Sequence, residues 1–399
     1  MNRRKFLKLG AGAFATTVCP FASNVQADKG SMVRKIFNPG QKSRVFLAAV
    51  SKGASDQAVR DATRRSAEAA TDFSWLSKGD AVFVKPAINS GNPFPATTNP
   101  HAVAAMTELL VEKGAGKVIV GDMSGVEHVR FSPAGLSGSS RKLMEDCGMS
   151  KVIQSLGAEL HFFEEAGWDA FYEENPVAGS HWKRGLMMPN ILKNVQHIVL
   201  MPRCGRHILA GSSLGLKAAV GYWRHDTRLE YHHDAKTFHE KTVEANTIET
   251  LQKKQRLVVT AADKILTTYG PDKGFVFQPE TGLVIASESV VAHDMTSLAW
   301  LLLNRKLMPE SEKNGFLDTG WVAPRFANRM VVNWLGGWGK ALSADPFTKQ
   351  ELSAVWDDRV LCHAYQVFGG TPLVELKPTD KELPPGLKQH LEEMTAIPD

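Results

Sequence analysis

Residues 99–122 read NPHAVAAMTELLVEKGAGKVIVGD, and this stretch decides the fold. Asn99 is a helix-capping residue type, and Pro100 suits the first helical position because its missing N–H costs nothing there. Apolar residues at helical spacing follow as far as Lys113, and Gly114 supplies the stop. Only two residues separate that stop from Lys117 to Gly121, which has the Val and Ile content of a strand. Ala81 to Val84 is a strand of the same kind upstream. Strand, helix and strand joined this tightly form a β-α-β unit, so the two strands are parallel and the crossover is right-handed.

The pattern extends in both directions. Val45 to Val50, Leu160 to Phe163, His197 to Met201, Arg256 to Thr260 and Leu283 to Ala286 read as strands, and Ser289 to Leu303 reads as a helix. Runs rich in Val, Ile and Leu without clean alternation suit strands buried on both faces. The expectation is an α/β fold, a mostly parallel β-sheet flanked by helices in Rossmann-like layers. After Pro309 the texture changes, with Trp321, Trp334, Trp338 and Trp356 and paired glycines. Residues 28–308 are therefore expected to form the α/β domain, and 309–399 a Trp-rich C-terminal subdomain or extension. Glu375 to Pro385 reads as an exposed Pro-rich connection before a last amphipathic helix.

The chain begins with Asn2-Arg3-Arg4-Lys5-Phe6-Leu7-Lys8, followed by a weakly apolar run to Cys19 and small residues at Val25-Gln26-Ala27. This resembles a twin-arginine export signal, cleaved near Ala27, and predicts a periplasmic protein that meets the twin-arginine translocase during export. That route carries folded proteins, often ones loaded with a cofactor. The 399 residues include 47 basic and 42 acidic ones. Removing Arg3, Arg4, Lys5 and Lys8 with the signal leaves 43 against 42, so the basicity is a targeting feature and gives no reason to expect nucleic acid as a partner. No segment after residue 27 is apolar enough to cross a membrane. Of the four cysteines, Cys147, Cys204 and Cys362 remain, with no Cys-x-x-Cys pair, which argues against a cysteine-ligated iron–sulfur cluster or a zinc ribbon. At least two of the three are expected as buried thiols.

In open parallel sheets ligands gather beyond the carboxyl ends of the strands. Those ends are polar here: Lys85-Pro86-Ala87-Ile88-Asn89, Gly121-Asp122, Pro202-Arg203-Cys204-Gly205-Arg206-His207, and Ala261-Ala262-Asp263. Together they can place cations, two carboxylates and a histidine around one crevice, or they can serve singly as caps. The Gly-rich piece Gly211 to Lys217 departs from the Walker pattern and reads better as a tight turn. Arg224 to Glu244 is dense in ionisable groups. His225, His232 and His239 would share a helix face, but at about 10 Å per heptad one helix cannot bring three ligands to one ion. A metal held by His225, His232 and His233 in a loop conformation, or with help from Asp122 and His128, is the alternative to a solvated or substrate-facing segment. Asp294 follows Val291 near the start of its helix, where a structural role at an N-terminus accounts for it.

These strand ends resemble the family catalogued as domain of unknown function 362. The matching pieces are Lys85-Pro86 with Asn89, Thr97-Thr98-Asn99-Pro100, Gly114-Ala115, Gly121-Asp122, Leu216-Lys217, Asp263, Gly270-Pro271 and Ala292-His293-Asp294, spread over residues 45 to 305. The chain departs from the family pattern at Arg206-His207 and at Ala218, and it lacks the cysteine-rich ferredoxin segment of many relatives. The resemblance implies the fold and the place of a crevice and leaves the reaction open.

The resulting expectation is an exported enzyme that binds a small anionic substrate or cofactor, with metal assistance or redox chemistry left open. Lys85, Asn89, Arg203 and Arg206 bind the anion. Lys217 also helps neutralise it and belongs to the catalytic set with Asp122, His207 and Asp263; the two carboxylates serve as general base or metal ligands, and His207 transfers protons near neutral pH. The rival expectation is a non-catalytic cofactor-binding or maturation protein that escorts a periplasmic enzyme.

Overall fold

The computed structural model describes residues 42–313, 322–348 and 352–398; the expected signal, 1–27, lies outside them. The principal elements in chain order are β1 (Lys42–Ser51), α1 (Asp56–Ala70), β2 (Ala81–Pro86), α2 (Pro100–Glu112), β3 (Lys117–Asp122), β4 (Glu159–Phe162), β5 (His197–Met201), α3 (Gly215–Ala218), α4 (His225–His233), α5 (Phe238–Glu244), β6 (Gln255–Ala262), β7 (Thr281–Ser287), α6 (Val290–Leu307), α7 (Val322–Ser343), α8 (Arg359–Val367), β8 (Leu373–Pro378) and α9 (Pro385–Thr395). Eight strands form one sheet in the order β8-β1-β7-β6-β5-β2-β3-β4. All neighbours are parallel except at β7, which runs antiparallel to both β1 and β6. The expected mostly parallel α/β sheet is what forms.

The deciding β-α-β unit forms for the reasons the sequence supplies. The Asn99 side chain accepts from the His101 and Ala102 amides at 2.9 and 3.3 Å, which caps α2, and Pro100 opens the helix. Strand alternation then divides the core. Val82 and Val84 of β2 pack with residues of α1 and α2 on one face, whereas Phe83 packs on the other with Tyr222, Trp223 and Tyr231. Helix α6, capped by Ser289, is buried along most of its length against the β1, β6 and β7 side of that second face.

Two readings are corrected or refined here. Part of the stretch expected to be an exposed connection is strand β8, which pairs in parallel with β1 from Lys42↔Leu373 to Leu47↔Pro378. An edge strand tolerates a proline and charged residues, which hides it in the sequence. The C-terminal region therefore extends the main sheet, and α9 follows as the expected last helix. Cys147 and Cys204 are buried free thiols. Among the described residues no helix is long and apolar enough to cross a membrane.

Beyond the carboxyl edge lies a smaller four-stranded sheet that includes the hairpin Gly205–His207 with Gly211–Ser213. Helices α3 and α4 lie beside it, so residues far apart in the chain meet above β2, β3 and β5.

Candidate functional site

Lys85, one residue from the end of β2, points to the same face as Phe83 and is 1% exposed. Its Nζ stands 2.8 Å from Asp122 Oδ1, donates to the Pro86 carbonyl at 3.0 Å, and lies 5.3 Å from the centre of the Tyr222 ring. Asp122 Oδ2 accepts from the Ile88 amide at 2.7 Å. Burial lowers the Lys85 ammonium and the Asp122 charge acts against it. Gly221 presses on this pair: a Cβ there would lie 2.2 Å from Asp122 Oδ1 and 2.3 Å from Lys85 Nζ, so only glycine fits. Arg228, on α4, is buried beside the pair and donates to four backbone carbonyls, of Ser124, Met123, Trp223 and Gly221, at 2.6, 2.8, 2.9 and 3.2 Å. Burial pulls its guanidinium down to about 10, with Asp122 and Glu164 opposing.

A second group is built from the loops after β5 and after the small sheet. Arg203 donates to the carbonyls of Ala96, at 2.9 Å, and Pro271, and to Ser213 Oγ at 3.3 Å. Burial lowers it to about 10, and Asp272 is the main opposing charge. Asp272 accepts from the Asn89 side chain and sits 3.2 Å from His128 Nε2. Burial pushes the Asp272 carboxyl up, but the His128 hydrogen bond and the Arg203 charge bring it below its ordinary value. Arg206 donates to the carbonyls of His207 and, at 2.6 Å, Gly211, which braces the hairpin from inside.

Lys217 stands between these groups on the one-turn helix α3. The α3 amides of Gly215 and Leu216 are held by Asp294, at 2.8 and 2.7 Å. The Gly-rich piece, read from the sequence as a tight turn, is instead a short strand, Gly211–Ser213, followed by the helical turn α3, and the expected structural carboxylate caps this helix in place of its own. The Lys217 amine makes no hydrogen bond or ion pair among the described residues and keeps partial exposure. Burial, then the charges of Arg203, Arg228 and Lys85, lower it to about 7, with Asp272 acting the other way. Two histidines share its surroundings. His207 Nδ1 accepts from the Leu209 and Ala210 amides at 3.1 and 3.3 Å, which leaves the proton on Nε2. His232 Nδ1 faces Asn328 Oδ1 at 2.9 Å, and the Asn328 amide donates to the His232 carbonyl, so Nδ1 carries the proton and Nε2 is an acceptor.

The structure thus brings together Lys85, Asn89, Asp122, Arg203, Arg206, His207 and Lys217, and it changes several assignments. His207 is held well below its ordinary value by burial and by the charges of Lys217, Arg203, His232 and Arg206. It is neutral at pH 7, so the expectation that it titrates near neutrality is corrected. Lys217 is the group at that pH. Asp263, one step past Ala262 of β6, turns to the α1 and α2 face, where it bonds the Asn99 side chain and feels Asp56; it belongs outside the crevice. Burial raises its carboxyl to about 6. A raised carboxyl contributes stability that is complete below its unfolded value of about 3.8 and lost as pH climbs through about 6. Asp263→Asn is therefore expected to gain about 1–3 kcal/mol at pH 7.5 and little at pH 3.5, as read by urea unfolding.

The metal set His225, His232 and His233 is likewise corrected. Helix α4 ends at His233, and the three rings diverge: His225 accepts from the Phe131 amide at 2.8 Å, His232 pairs with Asn328, and His233 meets Asp234 and Ser343. The groups of ligand type that do converge among the described residues are Glu127, His128 and Asp272, beside the crevice, and His181, Glu244 and His363 away from it. His128 pairs with Asp272 and not with Asp122. Sequence reasoning missed Arg228, Asp272, Tyr222 and Asn328. Asp272 directly follows the Gly270-Pro271 motif, and Arg228 lies within the dense ionisable stretch; both carried a signal.

The assembled cluster holds Lys85, Arg203, Arg206, Lys217 and Arg228 against the carboxylates Asp122 and Asp272, a surplus of cations of which Lys217 is partly exposed. Fold and site define an α/β protein with a cation-rich cluster at the carboxyl edge of a mostly parallel sheet. The chain belongs to the family described as domain of unknown function (DUF362), which matches residues 82–299 and so takes in the strand ends, Lys217 and Asp294. No curated protein matches the chain. Among solved structures it is similar to the lactate racemase apoprotein from Thermoanaerobacterium thermosaccharolyticum, with 11% identity, a TM-score of 0.37, and coverage of 61% of this chain and 54% of that one. The chain thus spans about half the length of that structure.

Proposed function

We propose that the crevice binds a small organic anion, a carboxylate or phosphate ester, and that Lys217 exchanges a proton with it as general acid and base. The observation that carries this reading is the Lys217 amine, unpartnered, partly exposed and ringed by Arg203, Arg228 and Lys85. An amine near 7 is present in both forms at neutral pH, which is what acid–base work needs. The cations beside Lys217 would stabilise the negative charge that develops on a deprotonated substrate. The neutral Nε2–H of His207 and the free Nε2 of His232 supply one donor and one acceptor for orientation. Calorimetric titration with inorganic phosphate and a panel of small 2-oxo, hydroxy and dicarboxylic acids tests this. Binding of at least one anion that the Lys217→Met variant loses is the expected result, and no binding by the intact protein at millimolar concentration contradicts it.

The export reading is carried by Arg3-Arg4 ahead of Phe6-Leu7. Arg3→Lys with Arg4→Lys is expected to leave the precursor in the cytoplasm, checked by fractionation and immunoblotting; periplasmic material from that variant would refute the route. The escort reading has its own observation. Val322, Phe326, Trp338 and Leu342 on α7 are 64, 66, 56 and 69% exposed. A Phe326→Ser, Trp338→Ser variant that keeps anion binding yet fails to support its partner enzyme would favour the escort.

A further inference from the structure

Away from the crevice, the seam between α5 and α8 is built in two rungs. Glu240 and Glu244 lie one turn apart on α5, and Arg359 and His363 one turn apart on α8. The first rung is a permanent ion pair, with Arg359 Nη2 2.8 Å from Glu240 Oε1. The second differs. Glu244 Oε1 receives His363 Nε2 at 3.0 Å and His181 Nδ1 at 2.6 Å, the latter from the loop between residues 174 and 186. The Glu244 side chain is 3% exposed, and among the described residues it bonds these two rings and the His181 amide, at 2.9 Å to Oε2. No lysine or arginine among the described residues pairs with it, so the second rung is a buried carboxylate bonded only to imidazole and amide donors.

We infer that His181, Glu244 and His363 form a binding site for one divalent transition-metal ion of the zinc type. Two imidazoles and one carboxylate from three separate segments present ligand atoms within 4.8 Å of one another. This donor set suits Zn²⁺, with bonds of about 2.0–2.2 Å. Tetrahedral ligands at that radius lie about 3.4 Å apart, so the 2.6 Å separation needs to open by about 0.8 Å, which falls to the His181 loop, and the 3.0 Å separation by about 0.4 Å. The His181 side chain is 41% exposed, so the fourth position faces solvent and remains open to water or a further ligand. An ion here ties α8, and the edge strand β8 beyond it, to the α4–α5 segment that flanks the crevice. The ion replaces the two N–H···O bonds and cancels the Glu244 charge, so binding stabilises the folded chain.

The test is equilibrium dialysis of the full chain, stripped with chelator, against Zn²⁺, together with the visible spectrum of the Co²⁺ form. One tightly held Zn²⁺ per chain and a tetrahedral Co²⁺ spectrum are expected, with at least tenfold weaker binding in His181→Ala and in Glu244→Gln. His181 is half-exposed on a loop, so its truncation leaves the core intact, and a folded circular dichroism spectrum is the control. His128→Ala, which alters the other cluster beside the crevice, should leave the stoichiometry at one. No Zn²⁺ retained at 100-fold molar excess over chains, unchanged affinity in His181→Ala, or loss of the ion in His128→Ala would each overturn the assignment.

Discussion

Asp122→Ala is expected to cost about 3–5 kcal/mol of folding free energy, among the largest single losses the chain can suffer. The substitution leaves Lys85, 1% exposed, without its 2.8 Å partner and removes the acceptor of the Ile88 amide. The neighbouring Arg228 guanidinium, which makes only carbonyl contacts of its own, loses its nearest carboxylate as well. Asp122→Asn keeps an oxygen for Ile88 but not the charge, so its loss should fall below that of the alanine variant. Urea unfolding at pH 7.5 measures both. A cost for Asp122→Ala under 1 kcal/mol would show that water already reaches the pair.

Lys217→Met is expected to move stability the other way while it removes anion binding. An amine lowered to about 7 in the folded chain and near 10.5 when unfolded burdens the native state. The unfolded chain binds the extra proton between those values, so stability rises with pH across that window and the burden is complete below about 7. A methionine of similar length carries no such burden. The variant should therefore gain up to about 4 kcal/mol at pH 6 and progressively less by pH 10, discounted for the partial exposure of the side chain. Stability gained with binding lost is the signature of a residue kept for function at a cost to the fold.

How far the sequence carried the structure depends on what each signal reports. Asn99, Pro100 and Gly114 act within a few residues of themselves, and the helix they bound forms as read. Strand ends are also local, which is why Lys85, Asn89, Asp122 and Arg203 are legible as polar residues at the carboxyl edge of the sheet. The face to which a strand end turns is not local. Asp122 and Asp263 end parallel strands alike, yet one meets Lys85 and the other meets Asn99 across the sheet. Protonation is less legible still, because the lowered values at Lys217 and His207 come from Arg203, Arg228 and Lys85, which are brought together only by the fold. The metal set fails because it needed His225, His232 and His233 in a loop conformation, whereas His225 to His233 is helix α4 and each ring finds a different partner.

The claim at the centre of this account is that Lys217 binds an anion in its protonated form, and the pH dependence of that affinity tests it most directly. Calorimetric titration of the intact protein with the best anion of the panel, between pH 6 and pH 8.5, should show affinity falling about tenfold per pH unit above about 7, with proton uptake on binding. The same titration with Lys217→Met should show little or no binding at any pH. Affinity that stays level from pH 6 to pH 8.5, or that survives the substitution, would contradict the assignment of Lys217 and with it the proposed chemistry of the crevice.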